Sequence, residues 1–389
     1  MPYNFDEMTH RRGTDCAKWD ETAEEVIPLW VADMDFRAPQ PVIDALRRRV
    51  EHGIFGYAHV PQAYFDAVCS WFHRRHNWTV RPEEIIYTTG VIPALAAALR
   101  AVTLPGEKVL LQTPVYNCFF SSLRNAGCEA LDSPLLYGAD SRYTIDFADF
   151  ERKAADPRCT AFLLCNPHNP AGRVWTDDEL RRLGDICQRH GVRVIADEIH
   201  CELVMPGHTF RPFASLDAPW AREAVTLNSP TKNFNIAGLQ VANIITPDPL
   251  LRRRIDRAIN LHETCDLNAF AADALIAAYN ESENWLVQLN AYLWDNYRYL
   301  QDFVAHELPQ CRLTVLEGTY LAWLDVRPLG IPTRRIEAAL KARQKVWVNS
   351  GTLYGTEGFL RINLATQRSR LAEGLRRMAE GLRELSAQG

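Results

Sequence analysis

No Cys-x-x-Cys pair occurs anywhere in this chain of 389 residues, and its ten cysteines stand singly. That spacing argues against a structural zinc site or a disulfide framework, and reduced thiols in a cytoplasm are the expectation. Long apolar runs are missing too. The longest helix-like one, Val91 to Val102, falls short of a membrane span and is interrupted by Arg100. The first residues, MPYNFDEMTHRRGTD, contain no apolar signal core, so export is not expected. Nor is there an excess of basic charge: 43 Lys and Arg against 48 Asp and Glu leave a net charge of -5, the wrong sign for nucleic acid or an anionic membrane surface. The run Arg47-Arg48-Arg49 is followed by Glu51 and reads as a solvated helix face. Internal repeats and low-complexity tracts are likewise missing.

What is present is the balance of an ordinary globular protein, with 47% hydrophobic and 23% charged residues, in a chain long enough for two domains. Short apolar runs alternate with amphipathic stretches, the pattern of a mainly parallel sheet covered by helices on both faces. Five runs stand out: Glu84–Thr89, Lys108–Gln112, Ala161–Cys165, Val192–Ala196 and Ala224–Leu227. Asp177 to His190 reads as a helix, with Thr176 as N-cap, Glu179 completing a capping box and Gly191 closing it. The last third predicts a smaller α+β unit. It has a long helix from Trp285 to Leu308 and strands at Arg312–Val315, Tyr320–Asp325, Val346–Asn349 and Phe359–Leu364. Helices are expected at Thr333–Ala342 and Ser369–Leu385. The expected division is residues 1–48 packing with the small domain, 49–284 as the large domain and 285–389 as the small one.

Each of the five runs passes into polar residues at its C-terminal end: Thr88-Thr89-Gly90, Thr113-Pro114-Val115-Tyr116, Asn166-Pro167-His168-Asn169-Pro170, Asp197-Glu198-Ile199-His200 and Asn228-Ser229-Pro230-Thr231-Lys232. In open α/β sheets ligands bind beyond the carboxyl ends of the strands, so five such clusters describe a site.

Lys232 suits covalent base chemistry if it is held still and desolvated, and equally suits a loop lysine capping a strand. Ser229 and Thr231 could donate to a nearby phosphate. Asp197 ends the apolar strand VRVIAD, where a carboxylate is costly without a cation; a protonated pyridine nitrogen would serve, and so would loop amides. Glu198 should point to the opposite face. His200 could bond a ring oxygen, although a lone histidine is usually structural. Asn169 offers an amide fixed by prolines, and Tyr116 could stack on a ring or simply pack. Gly90, Val91 and Ile92 open a helix whose N–H groups could hold a phosphate. Arg361, in FLRINLA, is a charge in an apolar strand that calls for a carboxylate, either a substrate's or a structural partner's. For Cys165 and Cys201, and for Trp30, Phe36 and Tyr320, core packing is the favoured reading over lining a pocket.

Taken together, in the order phosphate cradle, ring stacker, asparagine, aspartate, lysine, arginine, these clusters resemble the fold-type I aminotransferase superfamily over nearly the whole chain. The resemblance implies pyridoxal 5'-phosphate on Lys232 as a Schiff base, Asp197 on the pyridine nitrogen, Asn169 on the ring oxygen, Tyr116 stacked on the ring and Arg361 on the substrate carboxylate. It also implies a large, mainly parallel seven-stranded sheet domain with a smaller α+β domain. WVADMDF (Trp30 to Phe36), GIFGY (Gly53 to Tyr57), DEIH and TKNFNIAGLQ (Thr231 to Gln240) are similar to the MalY/PatB-type cystathionine β-lyases. In that group the tyrosine matching Tyr57 reaches the neighbouring subunit's phosphate, which implies a homodimer, and Ala32, Asn169 and Tyr57 join Arg361 around the substrate. His200 and Gln240 depart from the usual aminotransferase tyrosine and arginine, and both favour the lyase branch. The implied activity is β-elimination from a cysteine thioether such as cystathionine. Two other readings stay open: an aminotransferase on the same scaffold, and a regulatory protein that keeps the fold to bind a protein partner.

Overall fold

A computed structural model describes residues 2–261 and 266–387. The large sheet has seven strands: β1 (Ile85–Thr88), β2 (Lys108–Leu111), β3 (Glu129–Asp132), β4 (Cys159–Cys165), β5 (Arg193–Asp197), β6 (Val225–Asn228) and β7 (Ala242–Ile245). Their spatial order is β1-β7-β6-β5-β4-β2-β3. All neighbours are parallel except β7, which runs antiparallel to both β1 and β6. Because β7 alone is reversed, the C-terminal ends of the five strands read from the sequence open onto one edge. Residues on β4, β5 and β6 are buried almost throughout, as expected of strands covered on both faces.

Two strands of this sheet lie beyond the sequence expectation. β3 is a half-exposed edge of sequence EALD, and β7 follows the TKNFNIAGLQ loop with no turn signal before it. The helix Asp177–Arg189 forms as read, with the Thr176 hydroxyl accepting from Glu179 N–H and Glu179 reaching back to Thr176 N–H. The next glycine, Gly191, sits at φ +66°.

The smaller antiparallel sheet contains β8 (Arg312–Leu313), β9 (Leu321–Asp325), β10 (Asn349–Ser350) and β11 (Phe359–Asn363), in the order β8-β9-β11-β10. The expected single strand Val346–Asn349 is divided. Val346–Trp347 pairs with Ile27–Pro28 of the N-terminal segment, while Asn349–Ser350 joins the small sheet. The expected helix Thr333–Ala342 is regular only to Ala339 and widens into a π turn over Leu340–Gln344. The long helix spans Glu283–Glu307 and the last one Arg368–Ala387. The expected divisions at 48/49 and 284/285 fall inside the helices Gln40–His52 and Glu283–Glu307. We propose boundaries at the starts of those helices, which keep each one whole.

After Ile27–Pro28 the N-terminal segment crosses to the edge of the large sheet. Leu29 N–H donates to Trp347 O at 2.8 Å and Asp35 N–H to Ala365 O at 2.9 Å. The segment 30–36 is thereby laid over the strand ends. Among the described residues, no helix is long and apolar enough to cross a membrane.

Candidate active site

The five strand ends, with the segment around Ala32, enclose an open-mouthed cavity of about 250 Å³. Its lining includes Ala32, Gly90, Val91, Ile92, Tyr116, Asn169, Asp197, His200 and Lys232, all singled out from the sequence. Pro93, Cys165 and Ile199 complete the wall. Pro93 and Ile199 are apolar side chains that carry no sign of a site in the sequence, while Cys165, read there as core packing, is buried opposite Asp197 in strand register and also lines the cavity.

Lys232 is half-buried, and its Nζ donates to the Ala32 carbonyl at 2.6 Å. Burial pushes the amine below its ordinary pKa, opposed by Asp33; Arg361 lowers it further and Asp197 opposes. Asp197, 5% exposed, accepts one hydrogen bond, from Ile199 N–H at 3.1 Å. Burial lifts its pKa to about 6, against the pull of that N–H and of Lys232. Glu198 does point the other way, accepting from Phe213 N–H at 2.7 Å, and burial raises it to about 8.

Arg361 enters from β11. Its guanidinium donates to Asn169 Oδ1 at 3.2 Å and to the Trp30 carbonyl at 2.8 Å, lies 4.6 Å from the Tyr354 ring centroid, and leaves Nε buried with no partner. No carboxylate among the described residues forms a salt bridge with it, which removes the structural ion pair as an account of this charge. His200 is buried edge-on to Tyr320, with Nδ1 unpartnered and its pKa pushed down to about 3 by burial and by the charges of Lys232 and Arg361. It is a neutral imidazole at any working pH.

Tyr116 stands at the N-terminus of the helix Asn117–Asn125, and Gly90 caps the helix Val91–Val102, whose first turn faces the cavity. Ser229 and Thr231 lie outside the cavity lining. The Ser229 hydroxyl is committed to the Val241 carbonyl at 2.6 Å, and its oxygen receives Thr231 N–H at 3.1 Å. Ser229 is thus placed to orient Thr231, not to reach a ligand. Tyr57 is fully exposed, away from this chain's own cavity, beside exposed Ile54 and Phe55. Trp30 is half-buried and stacks on Trp347 at 4.1 Å outside the apolar core, whereas Phe36 packs within it among Phe5 and Tyr292. Gln240 is exposed at φ +50°.

A second cluster, His76, Cys201 and Glu202, has metal-ligand atoms close together. Glu202 already accepts from Trp71 at 2.7 Å and from Arg75 at 3.1 Å, with His76 at 2.7 Å, so it is a satisfied ionic knot.

The donor set of the cavity fits pyridoxal phosphate. It combines a desolvated amine, a buried carboxylate short of a cation, an unpaired guanidinium, and a helix N-terminus suited to a phosphate. Comparison with known proteins agrees. The chain is 43% identical to the cystathionine β-lyase PatB of Bacillus subtilis over 96% of this chain and 98% of that protein. It is 34% identical to MalY of Escherichia coli, covering 96% and 97%. Cystalysin of Treponema denticola, solved with pyridoxal 5'-phosphate, superposes with a TM-score of 0.95 at 34% identity, covering 99% of this chain and all of that one. A family model described as aminotransferase class I and II matches residues 24–378. The fold, the strand-end cavity and these matches lead to one conclusion: the chain belongs to the aminotransferase class I and II family.

Proposed function

We propose that the chain is a pyridoxal-phosphate-dependent C–S β-lyase that cleaves cystathionine or a related cysteine S-conjugate to a thiol, pyruvate and ammonia. The observation that carries this reading is a desolvated Lys232 amine in the cavity together with a buried Arg361 guanidinium, held behind the wall on Asn169, that no carboxylate satisfies.

The backbone N–H groups of Gly90, Val91 and Ile92 would hold the phosphate, Tyr116 would cover the ring, and Asn169 and His200 would face its oxygen. Asp197 would keep the ring nitrogen protonated. Bound there, the cofactor supplies an electron sink for the carbon next to the substrate amine. Arg361 grips the α-carboxylate and fixes which bond at Cα lies over the ring. Lys232, whose hold on a proton is weakened by burial, takes the Cα proton onto Nζ. The Cβ–S bond then breaks, sulfur leaves with the electron pair and is protonated, and water converts the three-carbon remainder to pyruvate and ammonia.

Tyr57 has no role in its own cavity. Its full exposure beside Ile54 and Phe55, with the resemblance of GIFGY to a segment that crosses subunits, supports a homodimer in which Tyr57 completes the partner's phosphate site. Supplying cystathionine with no keto acid and following pyruvate and free thiol tests the activity. Sustained turnover is expected. Turnover only on adding a keto acid would replace this reading with an aminotransferase, and a tight protein partner with no turnover would replace it with a binding role.

A further inference from the structure

The segment Trp30–Phe36 has an unusual hydrogen-bond record: each of its seven carbonyls accepts from a side chain. Trp30 O receives Arg361 at 2.8 Å and Asn349 at 3.0 Å, Val31 O receives Asn363 at 2.6 Å, and Ala32 O receives Lys232 at 2.6 Å. Asp33 O takes Lys18 at 2.9 Å and Asn363 at 2.8 Å, while Met34 O takes Arg11 at 2.7 Å and Asn235 at 3.0 Å. Asp35 O takes Thr9 and Gln367, each at 2.8 Å, and Phe36 O takes Asn235 at 2.7 Å. The strap is therefore suspended by side chains, without a sheet ladder of its own. Two of its holders are the basic groups of the active site, Arg361 and Lys232.

Its anchor is an ion pair out of reach of solvent. Asp35 is 1% exposed and receives Lys18 Nζ at 2.9 Å, Trp19 Nε1 at 2.8 Å and Arg11 at 3.1 Å. Burial pushes the Asp35 carboxyl up, yet the charge and hydrogen bond of Lys18, with Trp19, bring it below the usual carboxylate range. The same Lys18 ammonium also donates to Asp33 O, so one group ties the Asp35 carboxylate to the carbonyl next to Ala32. A buried ion pair gains little net stability over well-packed apolar side chains of the same volume, but it fixes geometry closely. What this pair fixes is the height of the strap over the strand ends.

We propose that Lys18 and Asp35 are positioning residues of the active site, setting the strap so that the Ala32 carbonyl holds the Lys232 amine while the Trp30 carbonyl holds the Arg361 guanidinium. Neither touches the cavity. This rests on the roles given above to Lys232 and Arg361. Because both groups hang from one strap, its displacement disturbs proton abstraction and carboxylate binding together.

The test uses Lys18→Met, in which Asp35 keeps Arg11 and Trp19, and Asp35→Asn. Two properties are read on variants shown by circular dichroism to be folded. The first is the rate of reductive methylation of Lys232 in cofactor-free protein, relative to Lys345 in the same digest. The second is the split between kcat and KM with cystathionine. The expectation is a several-fold change in the Lys232 to Lys345 ratio, with KM raised and kcat lowered together. A folded Lys18→Met protein that keeps the wild-type ratio and wild-type KM overturns the proposal, even if its melting temperature falls. Wild-type protein without turnover on cystathionine would instead count against the lyase reading, and the labelling ratio would still judge the strap.

Discussion

Arg361 and Asn169, 192 residues apart, meet through a 3.2 Å hydrogen bond in which the guanidinium donates to the amide oxygen of Asn169. A guanidinium can only donate, so this contact fixes which way the asparagine amide is turned. Its oxygen faces Arg361 and its NH₂ is left for the cavity. The clamp for the substrate carboxylate and the donor for the ring oxygen are thus one hydrogen-bonded unit, and neither residue can be read alone.

Removing the clamp should therefore act on substrates by what they carry. Arg361→Ala is expected to lower kcat/KM for cystathionine by the worth of a charged hydrogen bond, about 1.5–3 kcal/mol, or roughly 10- to 100-fold. An S-alkylated cysteamine, which lacks the α-carboxylate, should be a poor ligand of the wild type and lose nothing further in the variant. Competition assays with both compounds measure this. Equal losses would show that Arg361 supports the cavity wall only.

Asp197 sets a stability cost against a function. In cofactor-free protein its pKa is raised from 3.8 to about 6, so the folded state holds its proton more tightly than the unfolded chain. Stability contributed by this group is full below about pH 4 and falls as pH rises through 6. Above that window the penalty is on the order of 3 kcal/mol. Asp197→Asn should then melt higher than wild type at pH 7.5 when both are cofactor-free, and equally at pH 4. With cofactor added Asp197→Asn should be the less active protein, because the amide cannot keep the ring nitrogen protonated. Thermal melts of the cofactor-free proteins at the two pH values check the first half, and pyruvate release with cofactor checks the second. A variant no more stable at pH 7.5 would mean that Asp197 is already compensated.

The parts of this site that rest on side-chain identity could be read from sequence, and the parts that rest on backbone atoms could not. VRVIAD ends in a carboxylate that an apolar strand cannot tolerate without a reason, and Asp197 is indeed buried in the cavity wall. Thr176 and Glu179 form their capping box because that pattern is local and self-contained. By contrast, the carbonyls of Trp30 and Ala32 hold the Arg361 guanidinium and the Lys232 amine, and a carbonyl oxygen is the same in every residue. Ser229 shows what side-chain identity alone leaves out. A hydroxyl beside Lys232 suggests a phosphate donor, but its hydrogen is used on Val241, across a loop whose path sequence alone does not reveal. Val346–Asn349 reads as one strand by composition, and only the N-terminal Ile27–Pro28 pairing divides it.

Lys232→Ala should lose turnover by at least the worth of general base catalysis, about 10²–10⁴-fold, with pyruvate release as the assay. Borohydride treatment of wild-type holoenzyme should leave the cofactor label on the peptide containing Lys232. A label elsewhere would reassign the base.

That inactive variant also tests the subunit arrangement. If Tyr57 serves the partner's cavity, Tyr57→Ala damages the phosphate site of the opposite subunit, whereas Lys232→Ala damages its own. A dimer made of one chain of each kind then has one cavity with both defects and one with neither. Mixing the two weak homodimers after partial dissociation should restore activity. With random reassortment half the dimers are mixed and each has one intact cavity, so recovery should approach about a quarter of wild type. If Tyr57 acted within its own chain, every mixed dimer would have one defect in each cavity and no recovery could occur. Exposed Tyr57 and half-buried Lys232 can be combined in this way because Tyr57 takes no part in the lining of the cavity that holds Lys232 in its own chain.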